Sequence, residues 1–203
     1  MCGIAGYIGN KRISQTKIKK CLNEMEHRGP DANGVYTYQF NAKHNVYLLH
    51  TRLKIIDLKD RSNQPFRSGS KIIVYNGEIY NYIELKKELE SFGYVFKTKS
   101  DTEVLLYVIR HFGWSGLDKC EGMWAFALYD ENEGSLLLSR DRFGEKPLYI
   151  YNDNDELFFA SEIKFISVLR GVKPKINYNY LNRYLINGYK SLYKKNETFF
   201  QNF

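Results

Sequence analysis

Apolar residues recur along the first third of the chain with two different spacings. Four short, largely apolar stretches predict β-strands: residues 2–8, 34–40, 46–52 and 71–75. Between the first two strands, the apolar positions of residues 18–25 fall at i, i+3, i+4 and i+7, which predicts an amphipathic helix. The helix is expected to end at Arg28, Gly29 and Pro30, because glycine and proline interrupt helical hydrogen bonding.

The rest of the chain combines helices with two hairpins. An apolar stripe predicts a helix over residues 81–92, and Ser100, three residues before Glu103, has the capping-box spacing that opens another. A last helix is predicted over residues 176–186. The hairpins pair residues 123–130 with 135–141 around Asn132 to Gly134, and 147–151 with 157–161 around Asp153, Asn154 and Asp155. This order is typical of the α+β class, in which helices pack on antiparallel sheets.

Composition limits the class of protein. The chain has 203 residues, of which 43% are hydrophobic, and this length suits one domain or one domain plus the start of another. No stretch approaches the roughly 18 apolar residues of a membrane helix, and the N-terminus lacks the basic and apolar regions of a secretory signal. We therefore expect no membrane association and a cytoplasmic location.

The final residues, ETFFQNF, are unusual for a chain end. They contain Phe199, Phe200 and Phe203, which we expect to be exposed. Exposed apolar patches mark contact sites, so we expect this segment to be a strand that continues into a further domain.

Charge, cysteines and histidines argue against two kinds of function. The net charge is +7, but the lysines are spread along the chain with acidic residues between them, so we expect no nucleic-acid partner. The three cysteines are an odd number at wide spacings, which does not predict a disulfide framework. Neither they nor the four histidines have metal-ligand spacing, so we expect no metal site.

The opening residues, MCGIAGYIG, place a cysteine directly after the initiator methionine. A thiol with a pKa of roughly 8.5 needs a base to become a nucleophile. If Met1 is removed, Cys2 carries a free α-amine with a pKa near 8, which can accept the thiol proton. The alternative is an incidental second residue; Gly3 and Gly6 favour the functional interpretation because they let a ligand or backbone approach closely.

The stretch VYNGEIYN allows two interpretations. Asn76 followed by Gly77 is a strong signal for a two-residue hairpin turn, and on its own this interpretation is favoured. The Asn76 amide and the Gly77 N–H could instead stabilise a developing oxyanion. Glu78 would then lie close enough to recognise a substrate ammonium.

Three further stretches are ambiguous individually. Arg52 suits a carboxylate ligand or a surface salt bridge, and Asp101 suits an ammonium ligand or simply a helix N-terminus. HRGPD, residues 27–31, is either a helix stop or a mobile flap hinged at Gly29. Together, a nucleophile with its own base, oxyanion donors, a cation and two acids describe an enzyme that cleaves the side-chain amide of an α-amino acid, with glutamine the natural candidate.

Eight motifs in this order resemble the N-terminal glutaminase domain of glutamine-hydrolysing asparagine synthetases, which are class II glutamine amidotransferases. They are MCGIAGYIG, HRGPDANGVY, HTRLKIIDL, QPF, YNGEIYNY, SDTEVLL, EGMWAFALYD and RDRFGEKPLYI. The resemblance covers nearly the whole chain. It implies a four-layer αββα sandwich of the N-terminal-nucleophile hydrolase type.

The resemblance also implies roles for particular residues. Cys2 would be the nucleophile, and Asn76 and Gly77 would form the oxyanion hole. The residues matching the glutamine-binding pocket are Arg52 for the α-carboxylate, Leu53, Lys54, Ile55 and Ile56 for the pocket wall, and Glu78 and Asp101 for the α-amine.

The implied partner is a C-terminal synthetase domain of the same protein, which receives the ammonia. Residues 1–203 would be the amidotransferase domain, with the joint to the next domain near residues 195–203. No cofactor is expected in this domain, ATP and Mg are expected only in the synthetase domain, and a homodimer is possible. Two alternatives remain open: a related amidotransferase with a sugar or other acceptor, and a catalytically silent scaffold domain.

Overall fold

A computed structural model describes residues 1–41, 44–153, 155–188 and 197–203. These residues form nine β-strands: β1 (Gly3–Gly9), β2 (Ala32–Phe40), β3 (His44–Arg52), β4 (Phe66–Ser68), β5 (Lys71–Ile79), β6 (Gly122–Asp130), β7 (Ser135–Arg140), β8 (Tyr149–Asp153) and β9 (Glu156–Ala160). The helices are α1 (Gln15–Met25), α2 (Tyr82–Ser91), α3 (Asp101–Phe112), α4 (Ile163–Arg170) and α5 (Tyr178–Asn187). Short 3-10 segments cover Glu26–Arg28, Asp60–Ser62 and Gly113–Lys119.

The strands form two antiparallel sheets that stack face to face. The five-stranded sheet has the order β2-β3-β1-β9-β8, and the four-stranded sheet has the order β4-β5-β6-β7. Apolar side chains from both sheets fill the space between them, among them Ile4, Leu48, Phe159, Val74 and Tyr129. The middle of the molecule is therefore a β-on-β core.

Helices cover the outer face of each sheet. Helices α1 and α4 pack on the five-stranded sheet through side chains such as Ile18, Met25 and Phe165. Helices α2 and α3 pack on the four-stranded sheet through side chains such as Leu85 and Leu105. The resulting αββα sandwich confirms the predicted fold class.

Local signals explain why these elements begin and end where they do. The Ser14 hydroxyl accepts a hydrogen bond from the Lys17 N–H and caps α1, whose apolar stripe is buried. The β6–β7 hairpin turns as predicted, with Gly134 at φ +63°. In the center of the five-stranded sheet, a Cβ on Gly6 would lie 2.2 Å from the Phe159 ring, so the close strand packing requires glycine.

Several element predictions need correction. The strand predicted over residues 71–75 continues to Ile79, and neither β4 nor α4 was predicted. The turn between β8 and β9 falls in the predicted place, but its central residue Asn154 lies outside the described residues. The last predicted helix is present as α5.

The expectation that the terminal phenylalanines are exposed is wrong. Phe199 packs edge-on against Tyr180, with ring centroids 4.9 Å apart, and Phe203 packs against Tyr151 at 5.0 Å. Phe200 forms an isolated antiparallel bridge with Ile176. All three rings are half-buried against this chain, because α5 and the sheet edge supply apolar partners. Residues 195 and 196, at the start of the predicted joint, lie outside the described part, and the domain boundary stays a prediction.

Within the described ranges, no helix is long and apolar enough to cross a bilayer.

Candidate active site

A cavity of about 170 Å³ lies where the ends of β1 and β3 meet the edge of β5. Most of the predicted site residues line it: Cys2, Arg52, Leu53, Ile55, Ile56, Asn76, Gly77, Glu78 and Asp101. Lys54 is the exception. Its backbone N–H donates to Asp31 at 2.8 Å and its ammonium pairs with Asp60 at 2.9 Å. Both polar groups of Lys54 therefore bind other residues and do not line the cavity.

Cys2 is the residue before β1, and its side chain contacts the residue after β3. The Sγ atom lies 3.4 Å from the Leu53 amide nitrogen and 3.8 Å from the Leu53 carbonyl oxygen. The Cys2 carbonyl accepts a hydrogen bond from Arg28 Nε at 3.0 Å, which fixes the backbone. Burial raises the pKa of the Cys2 thiol, and this outweighs the opposing effects of the Leu53 N–H and the nearby positive charges. A buried neutral thiol needs a base before it can attack.

Met1 occupies the mouth of the cavity beside Cys2. The Lys146 ammonium lies 3.2 Å from the Met1 sulfur, and both residues line the cavity. While Met1 is attached, the Cys2 nitrogen is an amide and cannot act as a base.

The cavity side of β5 is an uncovered strand edge. Strand β4 pairs with β5 only from Lys71 to Ile73, whereas β6 pairs with β5 along its full length to Ile79. In an antiparallel strand, every second residue directs its N–H and C=O to the same edge. Beyond Ile73, the backbone groups of Tyr75, Gly77 and Ile79 therefore face a side that β4 does not reach.

Side chains occupy the backbone groups on either side of Gly77. Gln64 Oε1 accepts from the Tyr75 N–H at 2.6 Å, and His50 Nε2 donates to the Tyr75 carbonyl at 3.1 Å. Asp101 Oδ2 accepts from the Ile79 N–H at 3.2 Å. The Gly77 N–H between them is thus left facing the cavity.

Asn76 supplies a second unused donor. Asn76 is 1% exposed, and its Nδ2 atom has no hydrogen-bond partner among the described residues. Leaving a buried amide donor unpaired costs about 1–3 kcal/mol, so its presence on a cavity wall points to a ligand acceptor. Asn76 pairs with Ala125 in mid-strand, which shows that the hairpin-turn interpretation is wrong; the pairing with distant β6 overrides the local turn signal.

Asp101 begins α3 but does more than stabilise a helix end. Its Oδ2 atom accepts from the Tyr75 hydroxyl at 2.8 Å in addition to the Ile79 N–H, so one carboxylate spans the Asn76–Gly77 segment of β5. Burial raises the pKa of Asp101, with the hydrogen bonds opposing it. Glu78 is half-buried in the cavity wall, and within the described chain its carboxylate has no hydrogen-bond or ion-pair partner.

The predicted capping box at α3 does not form. Ser100 Oγ accepts from the Thr102 N–H at 3.2 Å, as a cap should. Glu103, however, is fully buried and accepts from the Lys97 and Thr98 backbone N–H groups instead of returning to Ser100. The carboxylate therefore holds the segment before the helix, which in turn positions Asp101.

Arg52 is 5% exposed, which excludes a surface salt bridge. Its four terminal N–H groups go to the carbonyl oxygens of Ile56, Asp57 and Lys59 and to the Asn63 side chain. Arg52 therefore holds the loop that follows β3. A carboxylate in the cavity would meet the positive charge and Nε rather than a free pair of terminal N–H groups.

The HRGPD segment is packed against the end of β3. The Asp31 N–H donates to the Arg52 carbonyl at 3.0 Å, and Pro30 bridges to Arg52. A Cβ on Gly29 would lie 2.5 Å from the Thr51 carbonyl oxygen. Glycine at this position serves close packing, which favours the helix-stop interpretation over a hinged flap.

Eight cavity residues were not predicted as site residues: Met1, Ser62, Gln64, Tyr75, Ser100, Thr102, Met123 and Lys146. Gln64 and Lys146 lie inside motifs quoted above, QPF and RDRFGEKPLYI, but nothing in their spacing indicates a role. In the described ranges, no cluster of three or more histidine, cysteine or acidic side chains could hold a metal ion.

Several curated proteins that are similar to this chain are named as glutamine-hydrolysing asparagine synthetases. A putative glutamine-hydrolysing asparagine synthetase of Methanocaldococcus jannaschii is 39% identical over 196 residues, covering 88% of this chain and 37% of that protein. Asparagine synthetase 1 of Bacillus subtilis is 43% identical over 175 residues, covering 83% of this chain and 27% of that protein. The chain thus spans only about a third of the length of these curated relatives.

A solved structure agrees on the fold. Glutamine phosphoribosylpyrophosphate amidotransferase from Bacillus subtilis superposes with a TM-score of 0.67 over 83% of this chain and 44% of that chain, at 23% identity. The family model described as glutamine amidotransferase domain matches residues 1–203. The chain therefore belongs to the glutamine amidotransferase domain family.

Proposed function

We propose that this domain hydrolyses glutamine to glutamate and ammonia, with Cys2 as the nucleophile. The observation that carries the proposal is one cavity that holds Cys2, the unpartnered Asn76 Nδ2 and the Gly77 N–H on the uncovered edge of β5. Such donors stabilise the oxyanion of a tetrahedral intermediate. The cavity also holds both signs of charge, as an amino-acid substrate requires.

The reaction begins once Met1 has been removed. The free α-amine of Cys2 takes the thiol proton as the sulfur attacks the side-chain amide carbon of glutamine. Negative charge that develops on the amide oxygen is stabilised by Asn76 and Gly77. The protonated amine then returns its proton to the departing nitrogen, which leaves as ammonia, and a glutamyl thioester remains on Cys2. A water molecule, with the amine again as base, hydrolyses the thioester to glutamate.

Charges on the cavity wall recognise the amino-acid end of the substrate. Glu78 and Asp101 lie close to each other and attract the substrate ammonium. Arg52 supplies positive charge for the α-carboxylate, through Nε or through exchange of one of its loop contacts. Leu53, Ile55 and Ile56 form the adjoining wall.

The ammonia acceptor lies outside this domain. The relatives are named asparagine synthetases and are much longer than this chain, so we propose a synthetase domain as the partner that uses the ammonia. ATP and Mg would serve that domain, in the cytoplasm. Assembly as a homodimer is compatible with this arrangement.

The test is glutamate release from glutamine by this chain, compared with Cys2→Ala and Cys2→Ser. Glutamate and ammonia should form in equal amounts with the parent chain, and both variants should lose at least about a thousandfold in kcat. Equal rates for the parent and Cys2→Ala would contradict the proposal. Mass spectrometry of the active protein should show loss of Met1; full retention with full activity would exclude the α-amine as base.

A further inference from the structure

Lys146 places a buried ammonium in the wall of the cavity. The residue is 6% exposed although lysine is seldom buried without a charged partner. Its backbone is held firmly, because the Asp141 carboxylate accepts from the N–H groups of Phe143, Glu145 and Lys146. The loop before β8 thus delivers this side chain to a defined place.

The partner of the ammonium is the Met1 sulfur, at 3.2 Å. A thioether is a weak acceptor and carries no charge. Among the described residues, no carboxylate forms an ion pair with Lys146. Burying an ammonium without a charged partner costs free energy of folding. We therefore expect the charge of Lys146 to act on a nearby group.

We propose that Lys146 keeps the α-amine of Cys2 unprotonated, so that the amine can act as the base. This inference rests on the proposed function and adds a positioning residue to it. Removal of Met1 leaves the Lys146 ammonium within about 9 Å of the new α-amine, given the covalent reach of a methionine. At an effective dielectric constant of about 20, a positive charge at that distance still disfavours protonation of the amine by roughly one pKa unit.

Other charges act on the same amine. Arg52 is held by neutral groups of the loop after β3 and keeps its positive charge near Cys2, so it acts in the same direction as Lys146. Arg28 is paired with Glu162 at 3.0 Å. Glu78 and Asp101, in the same cavity, favour a protonated amine. Without Lys146, Arg52 alone would oppose the two acids, and the pKa of the amine would rise.

The experiment measures kcat/KM for glutamine against pH in the parent chain, Lys146→Met, Lys146→Arg and Lys19→Met, each with Met1 removed. The acid limb reports the base in the free enzyme. In Lys146→Met the acid limb should move to higher pH by about one unit. At pH values below the limb, kcat/KM should be about tenfold lower than in the parent, and at pH values above the limb the two proteins should have the same kcat/KM. Lys146→Arg keeps the charge and should follow the parent, as should Lys19→Met, since Lys19 is exposed on α1.

A second measurement does not depend on turnover. The ¹⁵N shift of the Cys2 α-amine, followed by NMR against pH, should show the same displacement in Lys146→Met. Identical limbs and shifts in parent and Lys146→Met, or equal changes in Lys146→Met and Lys146→Arg, would overturn the proposal. If the parent chain has no Cys2-dependent activity, the proposed function fails, and the NMR titration still decides whether Lys146 sets the amine pKa.

Discussion

The two sheets contribute to the cavity in different ways. The five-stranded sheet contributes strand ends: Cys2 precedes β1, and Arg52 closes β3. The four-stranded sheet contributes a strand edge, because β4 begins only at Phe66, opposite Ile73, and leaves the rest of β5 uncovered. One sheet therefore presents side chains at strand ends and a chain terminus, and the other presents the Gly77 N–H together with the neighbouring side chains of Asn76 and Glu78.

The difference shows how an antiparallel sandwich can build an anion site without a helix N-terminus. An unpaired strand edge has a row of N–H groups that normally seek another strand. Here side chains cover the groups of Tyr75 and Ile79, so the Gly77 N–H alone remains for a ligand. His50 links the two sheets across this point through the Tyr75 carbonyl.

The largest effect is expected for Asn76→Ala, which removes one donor from the uncovered stretch of β5. We expect kcat/KM for glutamine to fall about 100- to 1000-fold, as for other oxyanion donors. Thermal unfolding should show only a small loss of stability, because the deleted Nδ2 has no partner in the described protein. Activity within threefold of the parent would show that the edge is not the oxyanion site.

The next largest effect concerns the link between the sheets, tested by His50→Gln. Burial lowers the pKa of His50 from 6.5 to about 3 in the folded state. The unfolded chain therefore binds a proton that the folded chain does not, and stability falls as pH drops from about 6.5 towards 3. At pH 4.5 this loss is about 2–3 kcal/mol relative to pH 7.

Glutamine can still donate to the Tyr75 carbonyl but does not titrate, so the variant should lose about 2–3 kcal/mol less than the parent between pH 7 and 4.5. Urea denaturation at both pH values measures the difference. The same pH dependence in both proteins would mean that His50 is charged or accessible in the folded state.

The smallest effect is expected at Gln64, whose side chain accepts from the Tyr75 N–H where β4 does not reach β5. Gln64→Leu leaves the Tyr75 N–H and the Thr102 hydroxyl without their Gln64 contacts. The edge should shift, with kcat about tenfold lower and KM little changed, because the Gly77 N–H acts in the transition state. Gln15→Leu, at an exposed position of α1, is the matched control. A change confined to KM would place Gln64 in substrate binding instead.

Sequence patterns predicted the features that depend on neighbouring residues. The apolar spacing of α1 and the turn at Gly134 are local, and both elements are present. The Asn76–Gly77 turn failed because pairing with β6 is decided by residues almost fifty positions away. For Arg52, the sequence indicated a carboxylate ligand or a salt bridge but not its contacts with the following loop. Those contacts depend on the path of the chain after β3.

The candidate site was predicted mainly as a set of residues from the family resemblance, and the structure supplied their arrangement. Gln64 and Lys146 gave no signal because their importance comes from contacts with Tyr75 and Met1, which no spacing rule connects. The assigned roles of Cys2 and the other site residues stay predictions for the variants above.

The contact between Met1 and Lys146 joins residues 145 positions apart, and this has a consequence for synthesis. A ribosome that adds about 5–20 residues per second needs about 7–29 s to reach Lys146 after Met1. The N-terminus leaves the ribosome during that interval, before the cavity around it can form. If Met1 is removed as proposed, the order of translation lets a peptidase reach it before the fold encloses it.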